Sequence, residues 1–320
     1  MTTHTNIFHE AEKISHLSLD QLIIYTRYRN HPQLSKADHQ NFFRYELVSA
    51  VEAGGVCTTA SCDNSAIAAC AIKPLQWDSQ HFGLPMARLN LAAAPRCPPA
   101  ILKKLLEESI SAARKKSIKL HISSEIDIDD YSCLNALLGL GAEILDIKRE
   151  YRWSTLKGIK APKFLSRVRD YHQEDKLQVL RLLEHVHFES RFSRDRRLDQ
   201  KKSIELYRIW LENLLDRGEN DRIALVMEKN NRIQACGAIE QQNLSHAGMD
   251  IQLMNNGIYI SSTEATGRYY PIIYSLAERA LSRFYTVQTC VSLNNHPAIR
   301  VLEKMNAGTE STRYALSLFL

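Results

Sequence analysis

The 320-residue chain lacks the features that mark several classes of protein. No apolar run approaches the roughly 18 residues that a membrane-spanning helix needs, so we expect no membrane partner. The polar start, MTTHTNIFHEAEK, does not have the pattern of a signal peptide. Its seven cysteines are dispersed, with no pair at zinc-ligand spacing, so we expect no metal site. Reduced thiols predict a cytoplasmic protein.

An excess of charge of one sign is also missing. The formal net charge is +5, from 41 basic and 36 acidic residues. Nucleic-acid binding usually needs a concentrated basic face, so we expect no nucleic-acid partner. The mild excess suits a small phosphate-bearing ligand, with a solvated surface as the alternative.

The apolar patterns predict two similar α/β halves. Each half has the signals of a hairpin, a strand, a helix, a strand, a helix and a strand. The pair Ala-Cys occurs at 69–70 in the first half and at 235–236 in the second, an offset of 236 − 70 = 166. The strings LGAE at 140–143 and NAGT at 306–309, which end corresponding predicted helices, have the same offset, 306 − 140 = 166. Chance similarity between two α/β segments is the alternative.

We therefore predict an α/β tandem of two units, with mixed sheets flanked by helices. Residues 1–55 form an N-terminal helical segment, with helices expected at 14–28 and 41–51. The first unit is expected at 56–153, a linker with Gly158 and Pro162 at 154–163, and the second unit at 164–320.

The stretch VSLNNHPAIRVLEKMNAGTESTRY at 291–314 carries the strongest motif. It predicts a strand, an asparagine pair, a helix, Gly308 just past the helix end, and a final strand. This order resembles the C-terminal end of the GNAT family, the Gcn5-related N-acetyltransferases. The resemblance implies tandem GNAT-like units and an acyl-CoA cosubstrate, acetyl-CoA or another, whose pantetheine arm and thiol lie beside Asn295.

The resemblance also implies a phosphate-binding loop between a strand and a helix N-terminus. The string SSTEATGRYYP at 261–271 stands at that place, and the expected cofactor-binding residues are Ile260, Ser261, Thr266, Gly267, Arg268 and Asn295. A tyrosine and a proline replace the later glycines, and a proline donates no N–H, so the loop is degenerate. An ordinary strand–helix connection is the alternative. The first half has PRCPP at 95–99 instead, so we expect it to be a degenerate unit that binds no CoA and serves as scaffold or substrate wall.

Four short strings resemble the TDP-fucosamine acetyltransferase-like subfamily in the same order. They are WDSQHFG at 77–83, SRF at 190–192, WLEN at 210–213 and ESTRY at 310–314. The resemblance implies a small-molecule amine acceptor such as a nucleotide-linked amino sugar. The expected substrate-binding residues are Trp77, Arg191, Phe192 and Arg194. For the segment at 77–83, the alternative is a loop whose aromatic side chains cover a core. For the arginine segment, the alternative is a basic turn exposed to solvent.

Attack of an amine on a thioester needs a base, donors for the oxyanion and often an acid. In the family the acid is a tyrosine seven residues after the asparagine, but here Asn295 is followed at that distance by Leu302. The catalytic candidates are Asn295, Glu240 as a base through water, and Tyr314 and Tyr259 as acids; for Glu240 an exposed strand residue is the alternative.

The leading prediction is an acyl-CoA-dependent N-acyltransferase that transfers an acetyl or longer acyl group, as a monomer or homodimer. The alternative is a non-catalytic GNAT-like protein that binds a ligand or a partner.

Overall fold

A computed structural model describes residues 4–8, 11–62, 65–115, 120–186, 188–262 and 269–320. The chain packs into two compact units. The first comprises Met1–Ile147, Ser245–Asp250 and Ser311–Leu320, and the second comprises Lys148–Leu244 and Ile251–Glu310. Each unit therefore takes residues from both halves of the sequence. The predicted domain boundaries differ from these units at the last strand of each half.

Strands and helices alternate along the described residues. The strands are β1 (His4–Phe8), β2 (Val56–Cys62), β3 (Ser65–Pro74), β4 (Met86–Ala93), β5 (His121–Asp127), β6 (Glu143–Trp153), β7 (Val168–Asp170), β8 (Arg222–Lys229), β9 (Arg232–Asn243), β10 (Gln252–Ser261), β11 (Val287–Ser292) and β12 (Gly308–Phe319). The helices are α1 (Ala11–Ser15), α2 (Lys36–Glu52), α3 (Gln76–Phe82), α4 (Pro99–Arg114), α5 (Tyr131–Leu138), α6 (Lys176–Leu182), α7 (Arg191–Arg194), α8 (Gln200–Leu215), α9 (Tyr269–Leu281) and α10 (His296–Lys304).

Both units contain a mixed sheet of the same design. The strands of the first unit neighbour one another in the order β1-β2-β3-β4-β5-β12, and those of the second in the order β6-β11-β10-β9-β8-β7. The pairs β4–β5 and β10–β11 are parallel, and the other pairs described within each unit are antiparallel. In each unit the strand beside the parallel pair comes from the other half of the sequence. The predicted α/β fold with mixed sheets is confirmed.

Helices cover both faces of each sheet because each helix has an apolar stripe to bury. In the first unit α4 and α5 supply Leu102, Leu106 and Leu137 to one core, while α2 supplies Leu47 to the other. In the second unit α9 and α10 pack on one face, and α6 and α8 pack on the opposite face. Each fully buried leucine contributes about 1.5–3 kcal/mol.

Two asparagine turns show how local sequence sets the path of the chain. Asn230 and Asn231 both have positive φ, 52° and 57°, and form the two-residue turn between β8 and β9. Asn306, with φ of 53°, is the left-handed residue past α10. The prediction that Gly308 fills that position is wrong, since Gly308 begins β12.

The helix predicted at 14–28 is also wrong. Only Ala11–Ser15 is helical there, and beyond it the chain follows tertiary contacts. The Ile23 N–H donates to the Ala93 carbonyl at 3.1 Å, which ties this segment to the edge of β4. The Arg44 guanidinium donates to the carbonyls of Ile14, Ser15 and Leu17 at 2.7–3.0 Å, which satisfies backbone groups that a longer helix would have paired itself. The apolar residues of this segment pack into the core along an irregular backbone path rather than along a helix.

Candidate functional site

The second unit opens between its two parallel strands. Strands β10 and β11 form one backbone pair, Met254 with Val287, and the Asn255 side chain donates to Gln288 Oε1 at 3.4 Å beside it. Beyond this point β10 continues along β9 and β11 continues along β6, with no further pair between β10 and β11 among the described residues. The facing strand edges therefore border a cleft, whose backbone groups a bound molecule could satisfy. In the first unit, β4 and β5 form four such pairs.

A β-bulge bends β10 at the start of the cleft. Asn255 of β10 pairs with Glu240 of β9, and the next pair is Ile258 with Ala238. Between these two pairs β10 has one residue more than β9. Such a bulge bends and twists its strand, which separates β10 from β11. Gly257 lies in the bulge, where a Cβ atom would come within 2.6 Å of the Tyr259 hydroxyl and 2.7 Å of a methyl group of Ile239. Only glycine fits there without displacing Tyr259.

Tyr259 connects the two sides of the cleft. Its ring lies over Gly257, and its hydroxyl is hydrogen-bonded to the side chain of Thr289 on β11. Burial raises the pKa of Tyr259 to about 12, although the bond to Thr289 acts in the opposite direction. The hydroxyl therefore stays protonated at neutral pH and holds its proton more tightly than an ordinary tyrosine does.

The predicted cofactor residues lie around the far ends of these strands. Ile260 and Ser261 are buried at the end of β10, and the Ser262 N–H donates to the Gln234 carbonyl at 2.8 Å. The other three predicted phosphate-binding residues, Thr266, Gly267 and Arg268, lie outside the described residues. Helix α9 begins at Tyr269 and runs for 13 residues, so its N-terminus offers the positive end of a helix dipole just after this loop.

Helix α10 lies after β11 and begins at the predicted asparagine. Asn295 is its N-cap, and the side-chain oxygen accepts from the Ala298 N–H at 3.2 Å. Leu302 is only 2% exposed and packs in the core with Met305 and the residues of α9. The position of the missing acid is therefore filled by a core side chain.

Polar side chains form a row across three strands of the second unit. Glu240, Asn255 and Gln288 lie side by side on β9, β10 and β11, and the last two are fully buried. Glu240 forms an ion pair with Arg217 at 2.9 Å, and its side chain is 13% exposed. Glu240 is thus a largely buried, paired carboxylate rather than an exposed strand residue, and a proton transfer to it would take place beside the Arg217 guanidinium.

The predicted substrate segment of the second unit meets the asparagine turn. Ser190 caps the short helix α7 by accepting from the backbone N–H groups of Phe192 and Ser193. The Arg191 guanidinium lies 4.7 Å from the centre of the Phe192 ring. Arg194 donates to the Asn294 side-chain oxygen at 2.7 and 3.1 Å when that amide is oriented to accept both bonds.

Arg194 also has an ion pair with Glu189 at 2.8 Å. The structure therefore brings Arg194 to the residue directly before Asn295, a proximity that the sequence spacing of about a hundred residues did not indicate.

Two other predicted site residues belong to the first unit. Tyr314 lies on β12, pairs with Ile126 and packs against the core of that unit. Trp77 lies on α3, is 46% exposed and stacks on His81 with ring centres 4.9 Å apart. The segment at 77–83, for which a loop was the alternative, is largely helical.

Gly257, Thr289 and Gln288 are residues of the site that the sequence patterns did not indicate. A glycine inside a strand pattern is a recognised sign of a bulge, so Gly257 carried a usable signal. Thr289 and Gln288 are isolated polar residues in a short strand, and no local pattern distinguishes them.

Among the described residues, no cluster of three His, Cys, Asp or Glu side chains has the arrangement of a metal site, and none of the helices there combines the length and apolar character needed to cross a bilayer. The seven cysteines all lie within the described residues, and none of them forms a disulfide. Burial raises the pKa of Cys57, Cys70 and Cys236 to about 12, which leaves these thiols unreactive at neutral pH.

The fold of the chain is similar to that of solved GNAT structures. A GCN5-related N-acetyltransferase from Sphaerobacter thermophilus matches with a TM-score of 0.58 and 11% identity, covering 94% of this chain and 96% of that one. A tandem GNAT protein from the clavulanic acid biosynthesis pathway matches with a TM-score of 0.54 and 13% identity, covering 99% and 98%. At these identities the likeness shows the fold: a tandem of two GNAT-like units.

A conserved protein of unknown function from Staphylococcus epidermidis has the same likeness, with a TM-score of 0.51 and 14% identity over 78% of this chain and 90% of that one. No family model matches the chain, and no curated protein matches its sequence.

Proposed function

We propose that the protein is an acyl-CoA-dependent N-acyltransferase whose cosubstrate binds the second unit between β10 and β11. The observation that carries this proposal is the single parallel pair between these strands, followed by a bulge and an open edge on each side. An extended pantetheine arm has amide groups that can pair with such strand edges, as an added strand would. The GNAT-like fold supports the same conclusion.

In this proposal the phosphates of acyl-CoA lie at the loop before α9. Ile260 and Ser261 end the strand that leads there, Thr266 and Gly267 offer loop backbone and hydroxyl groups, and Arg268 forms a charge-assisted bond to a phosphate. Asn295 caps α10 at the other side of the cleft. Acetyl-CoA is the first cosubstrate to test, with longer acyl-CoAs next.

The acceptor is a small-molecule amine such as a nucleotide-linked amino sugar. Arg194, beside Asn294, supports an anion-binding role for the basic segment with Arg191 and Phe192. Trp77 is the candidate from the first unit. Glu240 receives the amine proton through water.

Tyr259, at the edge of the cleft, and Tyr314 are the two hydroxyls to test for a role in the departure of the thiolate. We retain a cytoplasmic location, a monomeric or homodimeric state, and a repeat of two sequence halves at 56–153 and 164–320 as parts of the proposal.

A second candidate function is a non-catalytic ligand-binding protein of the same fold. Leu302 favours it, because the position of the usual acid is buried in the core of the second unit. Both candidates bind acyl-CoA or a related ligand, so binding and turnover must be measured separately.

The first experiment is a calorimetric titration of the full chain with acetyl-CoA and longer acyl-CoAs. We expect saturable binding, and stability should rise by about 2.7 kcal/mol when the ligand is present at 100 times its dissociation constant. Arg268→Ala should weaken binding by about 1–3 kcal/mol. Arg283→Ala, an exposed arginine just beyond the end of α9, is the matched control and should bind as the wild type does.

The second experiment follows release of free CoA in the presence of a panel of amines. Binding with turnover supports the acyltransferase, and binding without turnover for any amine supports the second candidate. Absence of acyl-CoA binding, with the fold intact, refutes both the cleft assignment and the enzyme.

A further inference from the structure

The first unit contains a charged cavity that the proposed acyl transfer does not use. It has a volume of about 260 Å³ and lies against β4, β5 and β12 on the side of the sheet that α2 covers. Its polar lining includes Arg27, Glu46, Arg88, Asn90, Glu125 and Arg313. Cavities that stay empty in proteins are usually apolar, whereas this one has charged walls that need water or a ligand.

Two of the charged groups form a buried floor. Arg313 of β12 is ion-paired with Glu125 of β5, and their side chains are only 5% and 8% exposed. Arg27 lies 3.8 Å from the same carboxylate. Across the cavity, Asn90 donates to the carboxylate of Glu46, which fixes that side chain on α2. These fixed groups hold the charges in place before any ligand arrives, which lowers the ordering cost of binding.

The chain itself closes the gap above this floor. Backbone pairing between β4 and β5 ends at Leu89 and Ser124, and the segment 23–29 lies beyond that end. Ile23 bonds to Ala93 on the β4 side, and Arg29 is ion-paired with Asp127 and Asp129 on the β5 side. The first unit therefore fills the interval between its parallel strands with its own residues and leaves a small cavity beside them.

The charge of the cavity selects the ligand. Three guanidinium groups face two carboxylates, so the lining has a net charge of +1. Tyr25, Tyr28 and Phe42 supply aromatic surface beside these charges. The volume of about 260 Å³ is far more than one water molecule needs, so the cavity has room for a small organic molecule. A guanidinium is suited to a carboxylate because it can donate two parallel hydrogen bonds.

We infer that this cavity binds a small monocarboxylate with an apolar or aromatic tail. The carboxylate lies toward Arg88 and Arg27, and the tail lies against the aromatic side chains. Plain acids and zwitterionic amino acids share this chemistry, and Glu46 would favour the zwitterion by accepting from its ammonium group. The inference does not depend on the proposed acyltransferase activity.

The test is a calorimetric titration of the full chain with two probes, phenylacetate and L-phenylalanine. We expect saturable binding of at least one of them, and tighter binding of L-phenylalanine if Glu46 contacts the ammonium group. Arg88→Met should weaken binding at least about tenfold, because a hydrogen bond to a charged group is lost. Arg88→Lys keeps the charge without the planar guanidinium, so its affinity for the probe should lie between those of the wild type and Arg88→Met.

Arg96→Met is the matched control, since Arg96 is exposed and does not line the cavity. Thermal unfolding of each variant establishes that it is folded. The inference is overturned if neither probe binds the wild type at millimolar concentration, or if Arg88→Met and Arg96→Met have the same effect. Titration of the wild type with acetyl-CoA is read separately, so failure of this inference is distinguishable from failure of the proposed enzyme.

Discussion

Gly237 determines how closely α9 can pack on β9, and replacing it gives a direct test of the second unit. A Cβ atom at this position would overlap a methyl group of Ile272 and lie 2.8 Å from Leu276 Cδ1 and 3.1 Å from Tyr259 Cδ1. The first two belong to α9 and are almost fully buried. The clash can therefore be relieved only by shifting core side chains or the helix. Overpacking of this kind costs about 1–3 kcal/mol.

Gly218→Ala is the matched control for Gly237→Ala. A Cβ atom at Gly218 would meet only Asp221 Oδ2, at 3.5 Å, and the glycine is exposed. Both substitutions restrict the unfolded chain, which by itself stabilises by about 0.4–1 kcal/mol. The difference between the two variants therefore isolates the clash, and we expect Gly237→Ala to be less stable by about 1–3 kcal/mol.

Urea unfolding followed by the fluorescence of Trp153 measures this difference. Trp153 is buried in the core that α9 covers, and its indole N–H donates to the Met305 carbonyl at 3.1 Å. Replacing Trp77 and Trp210 by phenylalanine in both variants makes Trp153 the only reporter of the three tryptophans. With a slope near 3 kcal/mol per M, the midpoints should differ by about 0.3–1 M. Equal midpoints would refute the proposed packing of α9 on β9.

Three further predictions test interactions within the second unit. Tyr259→Phe should cost about 1 kcal/mol of stability and remove one tyrosine that ionises near pH 12, as read by ultraviolet absorbance; an unchanged titration contradicts the buried hydroxyl. Asn295→Ala should cost about 1 kcal/mol in thermal unfolding while Asn295→Asp should cost little, because aspartate also caps a helix; equal losses would argue against the cap. The hydrogen bond from Arg169 lowers the pKa of Asp175, so this pair stabilises the fold above the ordinary pKa near 3.9, and the stabilisation is lost as the pH falls through the pKa of the folded state. Arg169→Met should therefore lose less stability than the wild type over this acidic range, and an identical pH profile of stability would contradict the pairing.

Local signals in the sequence predicted several elements accurately. Short patterns predict a strand at 287–292 and a hairpin turn at Asn230 and Asn231, and the structure has both, because a few neighbouring residues determine each of them. His296 is the capping residue that the sequence predicts for α10, and this prediction is wrong, since Asn295 is the N-cap. The regular apolar stripe at 201–215 predicts an amphipathic helix, and α8 begins only one residue earlier.

Long-range pairings could not be predicted in the same way. Periodicity identifies β6 and β12 as strands, but it carries no information about which sheet edge each one joins. The segment 23–29 has helical spacing in the sequence, yet its contacts with Ala93 and Asp127 hold it in another conformation. Tertiary contacts outweigh helix propensities, which are below 1 kcal/mol for most residues.

The roles of Tyr259 as acid and Glu240 as base stay predictions. The structure places Tyr259 at the edge of the cleft and Glu240 opposite the start of the bulge. The contact between Arg194 and Asn294 joins segments that are far apart in the sequence, and only the folded chain brings them together.

The buried position of Leu302 bears on how a thiolate would leave this site. A tyrosine there would place a hydroxyl in an apolar core, which costs free energy unless a partner accepts its hydrogen bond. Tyr259 is the hydroxyl that borders the cleft, but with a pKa near 12 its proton is held more tightly than that of a thiol, whose ordinary pKa is about 8.5. Transfer of that proton to a departing thiolate therefore runs uphill. We expect Tyr259 to serve as a hydrogen-bond donor in the cleft, and the thiolate of CoA to leave without a protein acid, so that the rate of transfer follows the fraction of acceptor amine that is unprotonated.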